Sequence, residues 1–481
     1  MHQIAAPRPS PGRSALPAAL LAAAIVYLCC LVWLPRLERR LDPLTGDEPF
    51  YVMTAISLIE DRDLDEQNNY DRRDFHRFYP AFGPTPDGWP SYPNPLPPHR
   101  SQTKRAGLYS KHGLGMALLI ALPYELGGRT LTLIVLAGIA AALTANMTLF
   151  GARYIPSTWL AAIVAIALSL TNPLFSFSLL IFPEMMAALC ILYATRRLLE
   201  PRNHTWQWVA IGACAASLPW LHYRLAPISV VLAVAAIVRF RRSWTRRAVA
   251  AAATPPIVSA IVLFWWCQRL YGRPLPPTSD HAGFSGMVGT LNGLAGTFLD
   301  QQWGAFIHNP LLLLAAASFV PFALAHRRDA LVIGAIVVPY LFLVASYRVW
   351  WGEWNPPARY LTDVVPLAAA PLAWWLSHVR RPWRWSMLGA FAAPAAAVMA
   401  TFLADPQRMY NHPDGTSRLL ETWKGWTSLD LTGALPSYVF YSASPAAVRL
   451  VFALLGLAWL GTLATVAYGL TSQRAASETS R

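Results

Sequence analysis

The sequence predicts an all-α polytopic membrane protein with about twelve transmembrane helices. Two features of composition carry that expectation: of 481 residues, 55% are hydrophobic and only 13% are charged. An average soluble domain carries about twice that share of charge. The third feature is arrangement. Apolar runs of spanning length recur along the chain, and the arginines fall in short clusters between them, which is the positive-inside pattern. The formal net charge of +14 is therefore read as membrane orientation. It is not read as a nucleic-acid surface, because no basic stripe with aromatic stacking partners accompanies it.

The first run, 16–34, follows an arginine-bearing N-terminus without an evident small-residue cleavage site. It is expected to be a retained first helix and not a removed signal peptide. The further expected spans are 130–150, 158–181, 185–195, 206–221, 225–238, 248–270, 306–325, 330–346, 360–377, 386–403 and 446–470. Segment 113–128 is also apolar, but it is short and interrupted by Gly and Pro, so it is expected to lie along or dip into the membrane without crossing. Cys29, Cys30, Cys190, Cys214 and Cys267 all lie in apolar runs, with neither metal-ligand spacing nor a loop position suited to a disulfide. No internal repeat is visible. One membrane-embedded domain over 1–481 is expected, with a first extracytoplasmic loop at about 35–129 and C-terminal helices at about 384–470.

With the N-terminus inside, one side receives Arg153; Arg196, Arg197 and Arg202; Arg239, Arg241, Arg242, Arg246 and Arg247; Arg327 and Arg328; and Arg380, Arg381 and Arg384. Counting 113–128 as a span would invert the later loops and break the positive-inside rule. The opposite, extracytoplasmic side then collects the candidate chemistry. The first loop carries prolines at 80, 84, 86, 90, 93, 95, 97 and 98, which prevent long regular elements while stiffening the path. A loop of that length and stiffness is expected to be a structured cover over a site.

Within that side, Asp47 and Glu48 stand together just after the first span. Thr45-Gly46 makes a turn, and Pro49 fits the first turn of a short helix, so either carboxylate can be read as an N-cap. The other reading is a catalytic base held at the membrane surface. Lys104, Arg105, Lys111 and His112 end the first loop; each can be a lipid-phosphate anchor, although Gly113 after His112 suits a close backbone approach to a ligand. Glu184 sits at a helix mouth, where the helix dipole alone favours a carboxylate. His222 and Arg224 stand at another outer helix end. Asp300–Gly304 and Trp350–Trp354 fit interfacial aromatic belts, and Arg359 enters a span behind Pro356-Pro357. No one of these is specific; their shared side is the stronger signal.

GDEPFY after the first helix, YSKHGLGMALLIALPYELGG before the second, FPE at a helix mouth, then LPWLHYR, DQQWG and WWGEWNPPARYL resemble, in that order, polytopic glycosyltransferases of the GT-C fold. The bacterial protein mannosyltransferase and aminoarabinose transferase types are the relatives meant. The resemblance covers about residues 42 to 366. It implies an inverting transfer of a sugar from a polyprenyl-phosphate carrier to a glycan, lipid or protein acceptor outside the cell membrane. By motif position, Asp47 is similar to the catalytic carboxylate and Glu48 to its partner. Lys111 is similar to a residue contacting the carrier phosphate, and Glu184 to a second acidic residue, here in the order Pro-Glu where some members have Asp-Pro. His112, His222, Arg224 and Arg359 complete the expected donor-phosphate surroundings.

The residues fit that chemistry without the resemblance. Attack by a hydroxyl on an anomeric carbon needs a carboxylate to take its proton, and a phosphate leaving group needs fixed positive charge. Adjacent Asp47 and Glu48 are not expected to face one bond as a retaining pair does. The rival from another class is a transporter or flippase of lipid-linked sugars, in which charges or broken helices near the midplane are expected. No cofactor is called for. Asp47-Glu48 could hold a divalent ion through oxygen ligands, but no clear metal set appears.

Overall fold

A computed structural model describes residues 15–42, 44–79, 96–200, 204–240, 245–276, 283–428, 430–432, 435–439 and 456. The expected span 446–470, apart from residue 456, lies outside these residues, as do Arg202, Arg241, Arg242 and the prolines at 80, 84, 86, 90, 93 and 95.

The described chain is helical. The elements are α1 (Leu16–Arg40), α2 (Glu48–Ile56), α3 (Gln67–Arg72), α4 (Leu114–Ala152), α5 (Thr158–Ser169), α6 (Leu174–Ser178), α7 (Glu184–Leu199), α8 (Thr205–Leu221) and α9 (Ala226–Phe240). They continue with α10 (Arg246–Tyr271), α11 (Met287–Leu299), α12 (Ala305–His308), α13 (Leu311–Ala325), α14 (Arg327–Ala345), α15 (Ala369–His378), α16 (Arg381–Ala404) and α17 (Arg418–Thr427). Among the described residues, α1, α4, α10, α14 and α16 are long and apolar enough to cross a membrane. α1 packs on α4 and α5, α8 on α10 and α7, and α13 on α14 and α15.

α4 shows why segment 113–128 reads as separate from the span after it. Its helix breaks at Gly127 and Gly128, and Gly128 takes φ +59°, a conformation that a side chain disfavours. The stretch before the hinge is about 20 Å long, too short for the ~30 Å hydrocarbon core. It bares Leu118, Leu122 and Leu126 in a stripe at helical spacing. Beyond the hinge, Arg129 donates to the carbonyls of Glu38 and Leu41 at 3.2 and 2.9 Å, which ties the bend to the end of α1.

Three expected spans are not single helices. Span 158–181 is divided into α5 and α6 around Pro173, and span 306–325 into α12 and α13 at Pro310. Span 360–377 opens as two 3₁₀ turns, Arg359–Asp363 and Val365–Ala368, before α15. Proline removes an N–H and disfavours helix for the residue before it. The polar backbone so freed needs partners inside a bilayer, and asparagines supply them. Asn309 Nδ2 donates to the Asn172 carbonyl and Thr171 Oγ1, and Asn172 Nδ2 donates to the Pro357 carbonyl at 3.1 Å. The breaks are thus pinned to one another. α11 is a further departure: an apolar helix with Met287, Val288 and Leu291 exposed stands between the expected spans 248–270 and 306–325.

One end of the bundle joins the close of α4 to the start of α14, where Tyr154 Oη donates to Asp329 at 2.7 Å and Arg153 pairs with Asp329. Arg196 near the C-terminus of α7 also reaches Asn146 of α4. The opposite ends of these helices open toward α2 and the first loop. That loop has its own apolar cluster, Phe50, Met53, Phe75, Tyr79 and Leu96, and Arg72 ties Asp61 to Asp74 across its helical turns.

A buried carboxylate–guanidinium chain as candidate active site

Residues far apart in sequence meet at this open end because helix termini and proline breaks converge there. Pro49 in the first turn starts α2 directly after Asp47. Asp47 occupies the N-cap position, yet its side chain makes no cap hydrogen bond. It faces Arg359 instead, whose Nη2 donates to Asp47 Oδ2 at 2.5 Å. Arg359 is delivered by the turn after Pro356-Pro357, in which Ala358 adopts φ +62°.

The same guanidinium donates from Nε to Glu184 Oε1 at 2.8 Å, and Arg224 Nη2 reaches that same oxygen, also at 2.8 Å. Arg224 continues the chain to Asp363 Oδ2 at 3.2 Å and to Tyr340 Oη, itself hydrogen-bonded to Asp363. Glu184 and Asp363 are fully buried. Aromatic rings cover the cations: Arg359 lies 4.7 Å from the Phe182 ring centre, and Arg224 4.8 Å from that of Tyr360. Three carboxylates and two guanidinium groups therefore alternate, and the chain carries one formal negative charge when all are ionised. Glu184 Oε2, Asp363 Oδ1, Arg224 Nη1 and Tyr51 Oη are buried without a hydrogen-bond partner, so the cluster keeps unspent donors and acceptors.

Burial alone would raise the Asp47 pKa. The facing Arg359 charge, helped by His112 and His99, outweighs it and holds the carboxyl well below the usual carboxylate range. His112 lies against Tyr51 and Phe50, with its Nε2 3.2 Å from His99 Nδ1. Burial lowers both imidazoles, His112 to about 4 and His99 to about 3, so both are neutral at pH 7.

Among the residues expected from sequence, the structure joins Asp47, Glu184, Arg224 and Arg359 in one chain and sets His112 beside it. It does not bring Glu48 in. That side chain is buried, its Oε1 accepts from the Ile181 N–H at 2.8 Å, its Oε2 has no partner, and burial raises its pKa. Lys111 is exposed at the rim and makes no side-chain hydrogen bond or ion pair. His222 turns inward on its own chain, its Nδ1 accepting from the Arg224 N–H and capping the 3₁₀ turn that carries Arg224. Gly113 permits a close approach, but to this protein's own backbone: a Cβ there would come within 2.4 Å of the Leu221 carbonyl oxygen. The chain also includes Asp363, a lone carboxylate inside the expected span 360–377, which is itself a functional signal in the sequence. Nothing in the sequence marks Tyr340, or pairs His99 with His112.

An apolar cavity of about 280 Å³ begins beside the same turn, lined among others by Leu361, Val364, Phe298, Phe306, Phe319 and Val337. The described helices belong to a multi-pass helical membrane protein, and comparison with solved structures gives it a GT-C-like fold. Two crystal structures of ArnT from Cupriavidus metallidurans share that fold at 15% identity, each matched over 93% of this chain and 74% of its own. One is bound to undecaprenyl phosphate and superimposes with a TM-score of 0.50; the other, in the apo state, gives 0.52. No protein-family model matches the chain, and no curated protein sequence does.

Proposed function

We propose that this protein is an inverting glycosyltransferase that moves a sugar from a polyprenyl-phosphate carrier to an acceptor hydroxyl on the extracytoplasmic side of the cell membrane. The observation that carries this reading is the pair of buried Arg359 with half-buried Asp47, beside an apolar cavity opening two residues beyond Arg359. A charged headgroup and a prenyl tail need those two environments side by side. The ArnT structure with undecaprenyl phosphate supports a carrier of this class on a GT-C-like fold.

In this reading the acceptor oxygen attacks the anomeric carbon while the carbon–oxygen bond to phosphate breaks. The bonding pair leaves with the phosphate, the proton passes to Asp47, and configuration inverts. Arg359 has two duties. While it holds Asp47, the carboxylate is a poor base; a donor phosphate that draws the guanidinium away both gains a charge-assisted contact and releases Asp47 to accept a proton. Arg224 supplies the second cation, its free Nη1 being an available donor. Glu184 fixes both guanidiniums through one oxygen. Lys111 at the rim adds attraction for anionic headgroups.

The absence of a visible internal repeat in the sequence counts against the transporter alternative, whose folds are commonly built from such repeats. The test is to incubate membranes containing the protein with labelled polyprenyl-phosphate sugars. Labelled acceptor together with released polyprenyl phosphate supports the transferase. Movement of intact donor across the bilayer without bond cleavage favours the transporter and contradicts our reading.

A further inference from the structure

Asp47 contributes to a second grouping that the transferase reading does not use. Asp47, His99 and His112 each offer one ligand atom, and these atoms lie within 4.8 Å of one another. The grouping is built by local structure. Residues 99–101 pair with 109–111 in antiparallel fashion: Lys111 N donates to the His99 carbonyl and Ser101 N to the Tyr109 carbonyl, each at 2.8 Å, about a bridge between Arg100 and Ser110. That register sets the two histidines side by side. Phe50 stacks on His99 with ring centres 3.6 Å apart and planes 17° apart, which holds the imidazole plane. Gly113 then packs against the end of α8 and fixes where His112 stands.

We infer that Asp47, His99 and His112 form a three-ligand site for a zinc-class divalent cation, which ties the 99–112 segment to the start of α2. The spacing fits. Nitrogens bound to one tetrahedral zinc at 2.0–2.1 Å stand about 3.3 Å apart, and His99 Nδ1 and His112 Nε2 are 3.2 Å apart. Arg359 engages only one oxygen of Asp47, so the other remains as a ligand. Two imidazoles with one carboxylate suit zinc, whereas magnesium and calcium ask for oxygen ligands. The site shares Asp47 with the transferase reading, but its test does not rest on that reading, since metal retention is measured without sugar transfer.

The alternative is a pair of imidazoles that share one proton and bind nothing. The full chain, purified in detergent and stripped with a chelator, is equilibrated with Zn²⁺ or Mg²⁺ alone, desalted and assayed for metal. We expect about one zinc per chain, no retained magnesium, and a rise in unfolding temperature on adding zinc. His99→Ala and His112→Ala should weaken zinc retention at least tenfold. His99→Gln, which keeps a planar polar group over Phe50, should do so as well, while His378→Ala at the other end of the bundle should not. Metal-free protein after zinc loading would overturn the inference. So would zinc retention unchanged in the His99 and His112 variants.

Discussion

Arg359 Nη2 stands 2.5 Å from Asp47 Oδ2, across 312 residues of sequence, while its Nε holds Glu184. One planar guanidinium therefore serves two carboxylates that come from different helix starts. A lysine offers a point charge and cannot reproduce that fork.

Arg359→Ala leaves the Asp47 and Glu184 carboxylates facing each other without that cation. Breaking a buried pair in this way costs about 3–5 kcal/mol, so thermal unfolding in detergent should move sharply down. Arg359→Lys should unfold between that variant and wild type while still losing most donor use. An alanine variant as stable as wild type would show that the pair does not hold the fold at this mouth.

Glu48 follows the opposite logic. Burial raises its pKa, its Oε2 has no partner, and its Oε1 only accepts the Ile181 N–H, which an amide oxygen can also do; Gln is its near isostere. Glu48→Gln should leave both stability and donor turnover close to wild type. A loss of two orders of magnitude in turnover at normal abundance would return Glu48 to the reaction.

Glu66 gives the stability a pH dependence. Burial pushes its carboxyl up to about 7, against the Thr54 hydrogen bond and with the neighbouring Asp65 adding. Thr54 has one hydroxyl proton for both the Phe50 carbonyl and Glu66 Oε1, and a protonated Glu66 that donates to Thr54 satisfies all three. The folded-state pKa lies above the unfolded value near 4.5, so this group's contribution is fully present below pH 4.5 and is lost as pH rises through about 7. Glu66→Gln lacks that titration. Its stability relative to wild type should therefore grow between pH 5 and 8, by up to about 3 kcal/mol. A difference that does not change with pH would contradict the assignment.

Gly113→Ala tests the placement of His112. The added Cβ meets the Leu221 and Trp220 carbonyl oxygens at 2.4 and 2.5 Å, so the chain must shift by roughly an ångström. Displacement on that scale costs up to about a hundredfold in rate. We expect reduced turnover together with a lower unfolding temperature, because the clash is with backbone; turnover at the wild-type rate would place His112 outside the site.

Much of this was legible in the sequence for physical reasons. A bilayer imposes long apolar runs, and lipid charge sorts arginines, so the membrane class follows from composition and order alone. Asp47, Glu184, Arg224 and Arg359 stood out because each is a charge at the edge of an apolar run. Their mutual pairing did not, because it depends on where proline breaks bend the chain: Pro173, Pro310 and Pro366 convert expected straight spans into broken ones, and no periodicity reports that. Asp363 was hidden inside such a span. Sequence leaves Asp47 open between a cap and a base, since a carboxylate before a Pro-containing first turn suits a cap; it does occupy the N-cap position, but a partner 312 residues away draws its side chain elsewhere. The His99–His112 contact depends on the pairing of residues 99–101 with 109–111, too short a ladder to leave a strand pattern.

In the proposed reaction Asp47 takes the proton of the acceptor, and the Asp47→Asn variant isolates that step. Asn keeps the side-chain size and one oxygen that Arg359 can still bond, and no cap hydrogen bond is at stake. In proteoliposomes supplied with a donor that wild type consumes, the variant should fold, insert and still bind polyprenyl phosphate. Its transfer rate should fall by about two to four orders of magnitude. An Asp47→Asn protein that transfers sugar at a rate near wild type would contradict the account.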